Sequence, residues 1–202
     1  MSKPPSLLEL RPEYQRLWDT LAIRKDRVGS VDAIVARIVA GRQRYEVAAS
    51  RSGVPWWFIA VVHSLESSGN FRTHLHNGDS LGARTINVPK GRPIKGTPPF
   101  SWEESAADAL AQKGLGKATD WSVAGALYQL ERFNGWGYRL YHVQTLSPYL
   151  WSYSKHYGPP EAKAGKYVAD GKWNGTAVSQ QCGAAVLLKR MHERGIITIE
   201  PF

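Results

Sequence analysis

Cysteine, long apolar runs and acidic residues are all scarce in this chain of 202 residues. Its single cysteine, Cys182, excludes an internal disulfide framework and a four-cysteine zinc site. No run approaches the roughly eighteen apolar residues that a membrane-spanning helix needs. The opening MSKPPSLLELRPEYQ has three prolines where a signal peptide would have its apolar stretch. We therefore expect a protein that is made in the cytoplasm without a cleaved secretory signal.

Basic residues outnumber acidic ones by 26 to 17, which gives a formal net charge of +9. This charge favours an anionic partner, namely nucleic acid, an acidic membrane face or the anionic bacterial envelope. The basic residues are spread along the chain rather than clustered, so specific recognition of nucleic acid is not expected. Hydrophobic residues at 43% and charged residues at 21% indicate a globular protein. The length predicts a single domain, residues 1–202.

Helical patterns dominate the sequence, with one interruption after its most apolar segment. Residues 56–65 (WWFIAVVHSL) are apolar nearly all round, which predicts a helix buried on every side. Ser101 and Glu104 have the spacing of a capping box, which begins another helix. Residues 71–100 between them are rich in Gly, Pro, Asn and Thr, and contain the hairpin-turn pair Asn-Gly at 77–78. The prediction is a mainly α protein with a small β-hairpin lobe at about 71–100.

The remaining helices are predicted from the spacing of apolar residues. They cover residues 12–25, 31–50, 121–133, 138–151 (interrupted at Pro148) and 176–193. A tail loop is predicted at 158–175.

Glu66 ends the apolar helix, which makes it the first candidate catalytic residue. A carboxyl that loses hydration beside apolar groups has a raised pKa, and it can then protonate a leaving oxygen as a general acid. Asp79 is a second carboxylate, in a turn and better solvated, and two carboxylates of different pKa are what glycosidic cleavage requires. The hydroxyl of Thr85 is a candidate to hold a water with Asp79. The alternative is a solvated helix end at Glu66 and an ordinary turn residue at Asp79.

These residues carry a resemblance to a known family. The stretch HSLESSGNFRTHLHNGDSLGART (63–85) resembles the catalytic segment of the lysozyme-like superfamily, which includes goose-type and phage-type lysozymes and soluble lytic transglycosylases. In that group a buried helix ends in the catalytic Glu, often followed by Ser as in Glu66-Ser67, and a β-hairpin lobe comes next. The order Glu66, Asp79, Thr85 resembles the Glu, Asp, Thr triad of phage-type lysozymes, with a longer first gap. Segments 147–158 and 165–173 resemble phage endolysins and bacterial muramidases.

The resemblance implies a lysozyme-like fold and a muramidase that cleaves the β-1,4 bond between N-acetylmuramic acid and N-acetylglucosamine in peptidoglycan. Glu66 would be the general acid, Asp79 and Thr85 would position the water, and no cofactor or metal would take part. An endolysin would reach the periplasm and cell wall through a separate membrane lesion. It would act there as a monomer, without stable membrane insertion and without binding nucleic acid.

Two other functions stay open. The first is a lytic transglycosylase, in which Glu66 alone acts and a 1,6-anhydro product forms. Those enzymes often have Gly-Leu-Met-Gln shortly after the Glu, whereas residues 82–85 here read Gly-Ala-Arg-Thr, which favours hydrolysis. The second is a non-catalytic protein that binds the cell wall, or a basic protein that uses its aromatic residues on nucleic acid.

Candidate substrate-binding residues follow the predicted helix 121–133. Asn134 and the glycine after it resemble the Tyr-Asn-Ala-Gly region that lines the glycan cleft of transglycosylases, and glycines flank Trp136 ahead of Tyr138. Aromatic rings stack on sugars while amides hold their polar groups. We therefore predict substrate binding by Asn134, Trp136 and Tyr138, with a helix C-cap as the alternative. His76 is a further candidate for contact with substrate.

Three histidines in the central part of the sequence suggest a metal site at first sight. His63 and Glu66 form H-x-x-E, which lacks the second histidine of the H-E-x-x-H zinc motif, and His74 and His76 alternate along one short segment. We therefore expect no metal. Cys182 lies among small residues and is predicted to be buried.

Overall fold

The computed structural model describes residues 3–118, 120–169 and 171–201, and the fold is mainly helical. The helices of this part of the chain are α1 (Leu7–Asp19), α2 (Val28–Ala40), α3 (Arg42–Ser52), α4 (Trp56–Ser67), α5 (Trp102–Gln112), α6 (Val123–Asn134), α7 (Gly137–Tyr141), α8 (Pro148–Trp151) and α9 (Ala184–Glu193). Two strands, β1 (Lys166–Ala169) and β2 (Lys172–Asn174), form an antiparallel sheet.

The chain divides into two compact units. The terminal unit comprises residues 1–35 and 120–202, and the central unit comprises residues 36–119. In the terminal unit, α6 packs against α1 and α8, and α8 packs against α9. In the central unit, α3 packs against both α4 and α5. Each unit has its own buried residues. The division into two units does not test whether the chain is a single domain, which stays a prediction.

Capping boxes fix where α1 and α5 begin. The hydroxyl of Ser101 accepts from the Glu104 amide, and the Glu104 carboxylate accepts from the Ser101 amide, as predicted. An equivalent box at Ser6 and Glu9 begins α1. The helix therefore begins before the predicted residue 12, and Pro12 lies inside it.

Helix α4 forms the core of the central unit, which confirms the predicted helix that is buried on nearly every side. Its residues from Trp57 to His63 are buried, and so is Leu65. The helix ends in a left-handed turn at Ser68 (φ +54°) and Gly69 (φ +74°), whose amides both donate to the His63 carbonyl. This turn gives the carbonyl backbone donors and directs the chain out of the core.

The predicted β-hairpin lobe at 71–100 is wrong. Among these residues there is one isolated antiparallel bridge, Thr73 with Ser80, and the rest are turns and bends. Four prolines in the segment lack the amide that a strand ladder needs. The side chain of Asp79 accepts from the amides of Ile86 and Asn87, which a second strand would need for pairing.

The sheet lies instead within the predicted tail loop 158–175, where Tyr167 pairs with Trp173. Its signal in the sequence is an Asp-Gly pair at 170–171 between β-prone residues. The predicted helix 31–50 is divided at Gly41, where a Cβ atom would lie 2.9 Å from the Phe71 ring. Pro148 interrupts the predicted helix 138–151 as expected, because α8 begins there.

Helix α9 begins later than predicted, and Gly183 shows why. A Cβ atom at this residue would lie 2.3 Å from the Leu150 carbonyl oxygen and 2.8 Å from the Ser152 nitrogen. Only glycine permits this close approach of two backbones. Cys182, directly before it, is buried as predicted, and burial raises the pKa of its thiol to about 12.

We predict that Gly183→Ala destabilises the terminal unit by about 1–3 kcal/mol, because the added methyl group forces two packed backbones apart. Gly29→Ala is the matched control, since a Cβ atom at Gly29 in α2 has no atom within 4 Å. The control should be neutral or stabilising by about 0.5–1 kcal/mol. Urea unfolding of both variants measures the difference. Equal stability of the two would contradict the packing at Gly183.

Candidate functional site

Glu66 is the penultimate residue of α4 and is exposed to solvent, although Leu65 before it is buried. The expectation that apolar neighbours cover Glu66 is therefore wrong. The reason is its place in the last turn, where the helix leaves the core and Ser68 is exposed as well. The alternative interpretation of this position is a solvated helix end. The structure without substrate agrees with that alternative.

Asp79 is half-buried, and its carboxylate accepts four hydrogen bonds. Oδ2 accepts from the amides of Ile86 (2.8 Å) and Asn87 (2.9 Å) and from Nδ2 of Asn77 (3.1 Å), and Oδ1 accepts from Nδ2 of Asn87 (2.6 Å). These donors, with the Asn87 amide first, hold the pKa of Asp79 below its ordinary value. Asp79 therefore anchors the loop that follows it, residues 80–92, as an ionised carboxylate.

Thr85 is buried, and both capacities of its hydroxyl are used. The hydroxyl donates to the Pro89 carbonyl at 2.5 Å and accepts from the Arg92 amide at 2.9 Å. The backbone of the two residues pairs as well, since the Thr85 amide donates to the Arg92 carbonyl. Thr85 thus closes the loop that Asp79 anchors. This geometry gives no support to the predicted role of Thr85 in holding a catalytic water.

His76 is inaccessible to substrate, which corrects its prediction as a substrate-binding residue. Its side chain has no exposed surface, and Nε2 lies 2.8 Å from the Asp108 carboxylate. Arg92 pairs with the same Asp108 oxygen at 2.8 Å. Burial lowers the pKa of His76, and the adjacent carboxylate opposes that shift. The residue fastens the loop to α5.

Two further polar residues, His74 and Ser105, complete this attachment, and no sequence pattern predicts their pairing directly. Nε2 of His74 faces the Ala83 carbonyl at 2.8 Å, so that nitrogen carries the proton. Nδ1 of His74 then accepts from the Ser105 hydroxyl at 2.7 Å. The one available signal is that Ser105 and Asp108 are three residues apart, on one face of the helix that the capping box begins.

His63 lies one turn before Glu66 on α4, inside an aromatic cluster. Its Nδ1 lies 2.9 Å from the Tyr45 hydroxyl, and its ring packs against Trp102 and Phe71 at centroid distances of 4.5 and 4.7 Å. Burial lowers the pKa of His63 to about 4. The imidazole is therefore neutral near pH 7, and it stabilises the last two turns of α4 by packing.

The predicted glycan-binding residues lie in the terminal unit. Asn134 is the exposed last residue of α6, and Trp136 is half-buried against Tyr128 at 5.2 Å. Tyr138 is a buried packing residue, with its ring edge-on to Tyr167 and its hydroxyl accepting from the Tyr167 amide at 3.4 Å. A ring covered in this way cannot stack on a sugar. Asn134 and Trp136 stay predictions.

Sequence analysis overlooked one carboxylate, Glu131, which lines a cavity of about 620 Å³ in the terminal unit. It accepts from the Tyr14 hydroxyl at 2.5 Å and from Nε of Arg139 at 2.9 Å, and Arg139 also pairs with Glu13. Burial raises the pKa of Glu131, and Arg139 opposes the shift. No periodicity identifies such a residue, because its partner Tyr14 is distant in sequence.

We predict that the free energy of unfolding decreases as the pH is lowered from about 6.5 to about 4, because of His63. In the unfolded chain this imidazole has its ordinary pKa of 6.5 and is protonated below that pH. In the folded protein its pKa is about 4, so it stays neutral down to about pH 4. The stabilisation is therefore present above pH 6.5 and is lost as the pH falls, by at most about 3 kcal/mol.

Chemical denaturation of His63→Phe across this range tests the prediction, since the phenyl ring keeps the packing without the proton. The pH dependence should become shallower. Tyr45→Phe is the control, because it removes the hydrogen bond and retains the histidine. An unchanged slope in His63→Phe would show that another group causes the pH dependence.

Among the described residues, no three His, Cys, Asp or Glu side chains are grouped so that they could hold a metal ion. None of the helices in this part of the chain has the length and apolar composition of a membrane span. Compared with known proteins, the chain matches no family model, no curated protein and no solved structure.

Proposed function

We propose that this chain is a peptidoglycan-cleaving enzyme of the lysozyme-like superfamily. It cleaves the β-1,4 bond between N-acetylmuramic acid and N-acetylglucosamine, with Glu66 as general acid. The position of Glu66 in the fold supports the proposal. An exposed carboxylate lies in the last turn of a helix that is buried over most of its length. A large polymer can reach such a group, and the helix fixes its position.

Protonation of Glu66 depends on the substrate in this proposal. A general acid needs a raised pKa, and burial of the carboxyl is the simplest cause of one. Because Glu66 is exposed in the free protein, a glycan strand that covers it has to remove the water. The proton then passes to the leaving glycosidic oxygen as the bond to the sugar carbon breaks.

The charge of the chain agrees with this substrate. A formal charge of +9 attracts the protein to a net anionic cell wall. As an endolysin, it would act at the cell wall and periplasm after release from the cytoplasm. Asn134 and Trp136 stay candidate contacts for the sugars.

Lytic transglycosylation is the second candidate, and the contacts of Asp79 and Thr85 favour it. Three of the four hydrogen bonds that Asp79 accepts end on Oδ2 and one ends on Oδ1, so the carboxylate is used mainly to hold the loop. The Thr85 hydroxyl is buried and engaged. Hydrolysis needs a held water, whereas transglycosylation uses the C6 hydroxyl of the muramic acid. Glu66 first donates its proton to the leaving oxygen and then, as a carboxylate, accepts the C6 hydroxyl proton.

We predict that Glu66→Gln releases no soluble fragments from purified peptidoglycan, because the amide cannot donate a proton in this role. The wild-type digest should contain fragments that end in N-acetylmuramic acid. Mass spectrometry of the ends separates the two candidates, because hydrated ends indicate hydrolysis and 1,6-anhydro ends indicate transglycosylation.

Glu46→Gln is the matched control, since Glu46 is an exposed glutamate of α3 in the same unit, paired with Arg42. It should digest peptidoglycan at the wild-type rate. Equal digestion by Glu66→Gln would refute the proposal. Binding of peptidoglycan by the wild type without release of any fragment would indicate the non-catalytic wall-binding protein instead.

A further inference from the structure

Three large aliphatic side chains are exposed within nine residues of the central unit. Ile86 is 72% exposed, Val88 is 88% exposed and Ile94 is 68% exposed. Single exposed aliphatic residues are ordinary on protein surfaces, whereas several within one short segment are more typical of an interaction site. We name these three residues the apolar loop tip.

The fold holds the apolar loop tip outward. The Thr85 side chain is buried, and the Asn87 side chain, although exposed, is held by its hydrogen bond to Asp79. Ile86 and Val88 alternate with these two residues and are exposed. Because Asp79 and Thr85 already fix the backbone, a partner that binds here has little chain entropy to remove.

The segment that carries the apolar loop tip is rich in basic residues, and Asp79 and Asp108 are acidic groups that contact it. Residues 80–102 contain four Lys or Arg residues and no Asp or Glu. Arg92 pairs with Asp108, and Arg84 donates to the Gly96 carbonyl. Lys90 and Lys95 are both exposed. The tip therefore combines aliphatic side chains with exposed positive charge.

We propose that the apolar loop tip docks on an anionic lipid bilayer. The aliphatic side chains enter the boundary between headgroups and acyl chains, while Lys90 and Lys95 lie at the lipid phosphates. Peripheral binding of this kind needs no spanning helix. A glycan is the poorer occupant, because sugars are held by aromatic rings and amides. The proposal does not depend on the activity of Glu66.

Sedimentation with lipid vesicles tests the proposal. The full chain should bind vesicles of equimolar phosphatidylcholine and phosphatidylglycerol and bind pure phosphatidylcholine vesicles much more weakly. Ile86→Ser with Val88→Ser should weaken binding at least about tenfold, because burial of two aliphatic side chains exceeds the free energy of a tenfold change. Lys90→Gln with Lys95→Gln should weaken binding to the anionic vesicles alone.

Leu8→Ser with Val143→Ser is the matched control, since these residues are 80% and 79% exposed elsewhere. It should bind like the wild type, as should Glu66→Gln. Ile94→Ser, at a residue outside the Asp79 contacts, provides a second variant if the first is poorly folded by circular dichroism. Absence of vesicle binding by the wild type, or unchanged binding by folded loop variants, would overturn the proposal. It would also be overturned if the loop variants lost binding to lipid-free peptidoglycan, which would assign the tip to the cell wall.

Discussion

The burial of α4 is the constraint on which the arrangement of the central unit depends. The helix is buried from Trp57 to His63, and its chain leaves the core at the C-terminal turn. Glu66 therefore reaches solvent in the last turn, and the left-handed residues Ser68 and Gly69 direct the chain into a loop. Asp79 and Thr85 then fix that loop through amide and carbonyl contacts.

These contacts change the roles expected of three residues. Asp79 and Thr85 resemble members of a catalytic triad in their order along the sequence, whereas in the fold their polar atoms are engaged with the loop itself. His76 is likewise engaged with Asp108. Of the two carboxylates in the predicted triad, Glu66 is the more exposed. This is why the proposed mechanism assigns the proton transfers to Glu66, and why a reaction without a protein-held water gains support.

Glu131 and Glu66 are placed differently in the fold. Burial raises the pKa of Glu131, and one of its oxygens is bound by Tyr14 and Arg139. Glu66 is exposed to solvent. Its proposed acidity thus depends on the ligand, which supplies the apolar cover only when the bond to be cleaved is in place.

Local sequence patterns predicted the parts of the fold that depend on local interactions. The apolar run gave α4, and the capping box gave the beginning of α5. The hairpin at 71–100 failed because one side chain, Asp79, binds the amides that a strand would use, and turn propensities contain no such information. The prediction that Glu66 is buried failed because the periodicity of apolar residues does not show where a helix leaves the core. The pairing of His76 with Asp108 spans 32 residues of sequence and required the tertiary structure.

NMR titration of the Glu66 carboxyl, with and without a bound oligosaccharide of β-1,4-linked N-acetylglucosamine, tests whether substrate makes this group an acid. The bound sugar should raise the pKa of Glu66, because the glycan replaces the water around the carboxyl. A carboxyl that titrates at the same pH in the free and the bound protein would refute the role of Glu66 as a substrate-dependent general acid.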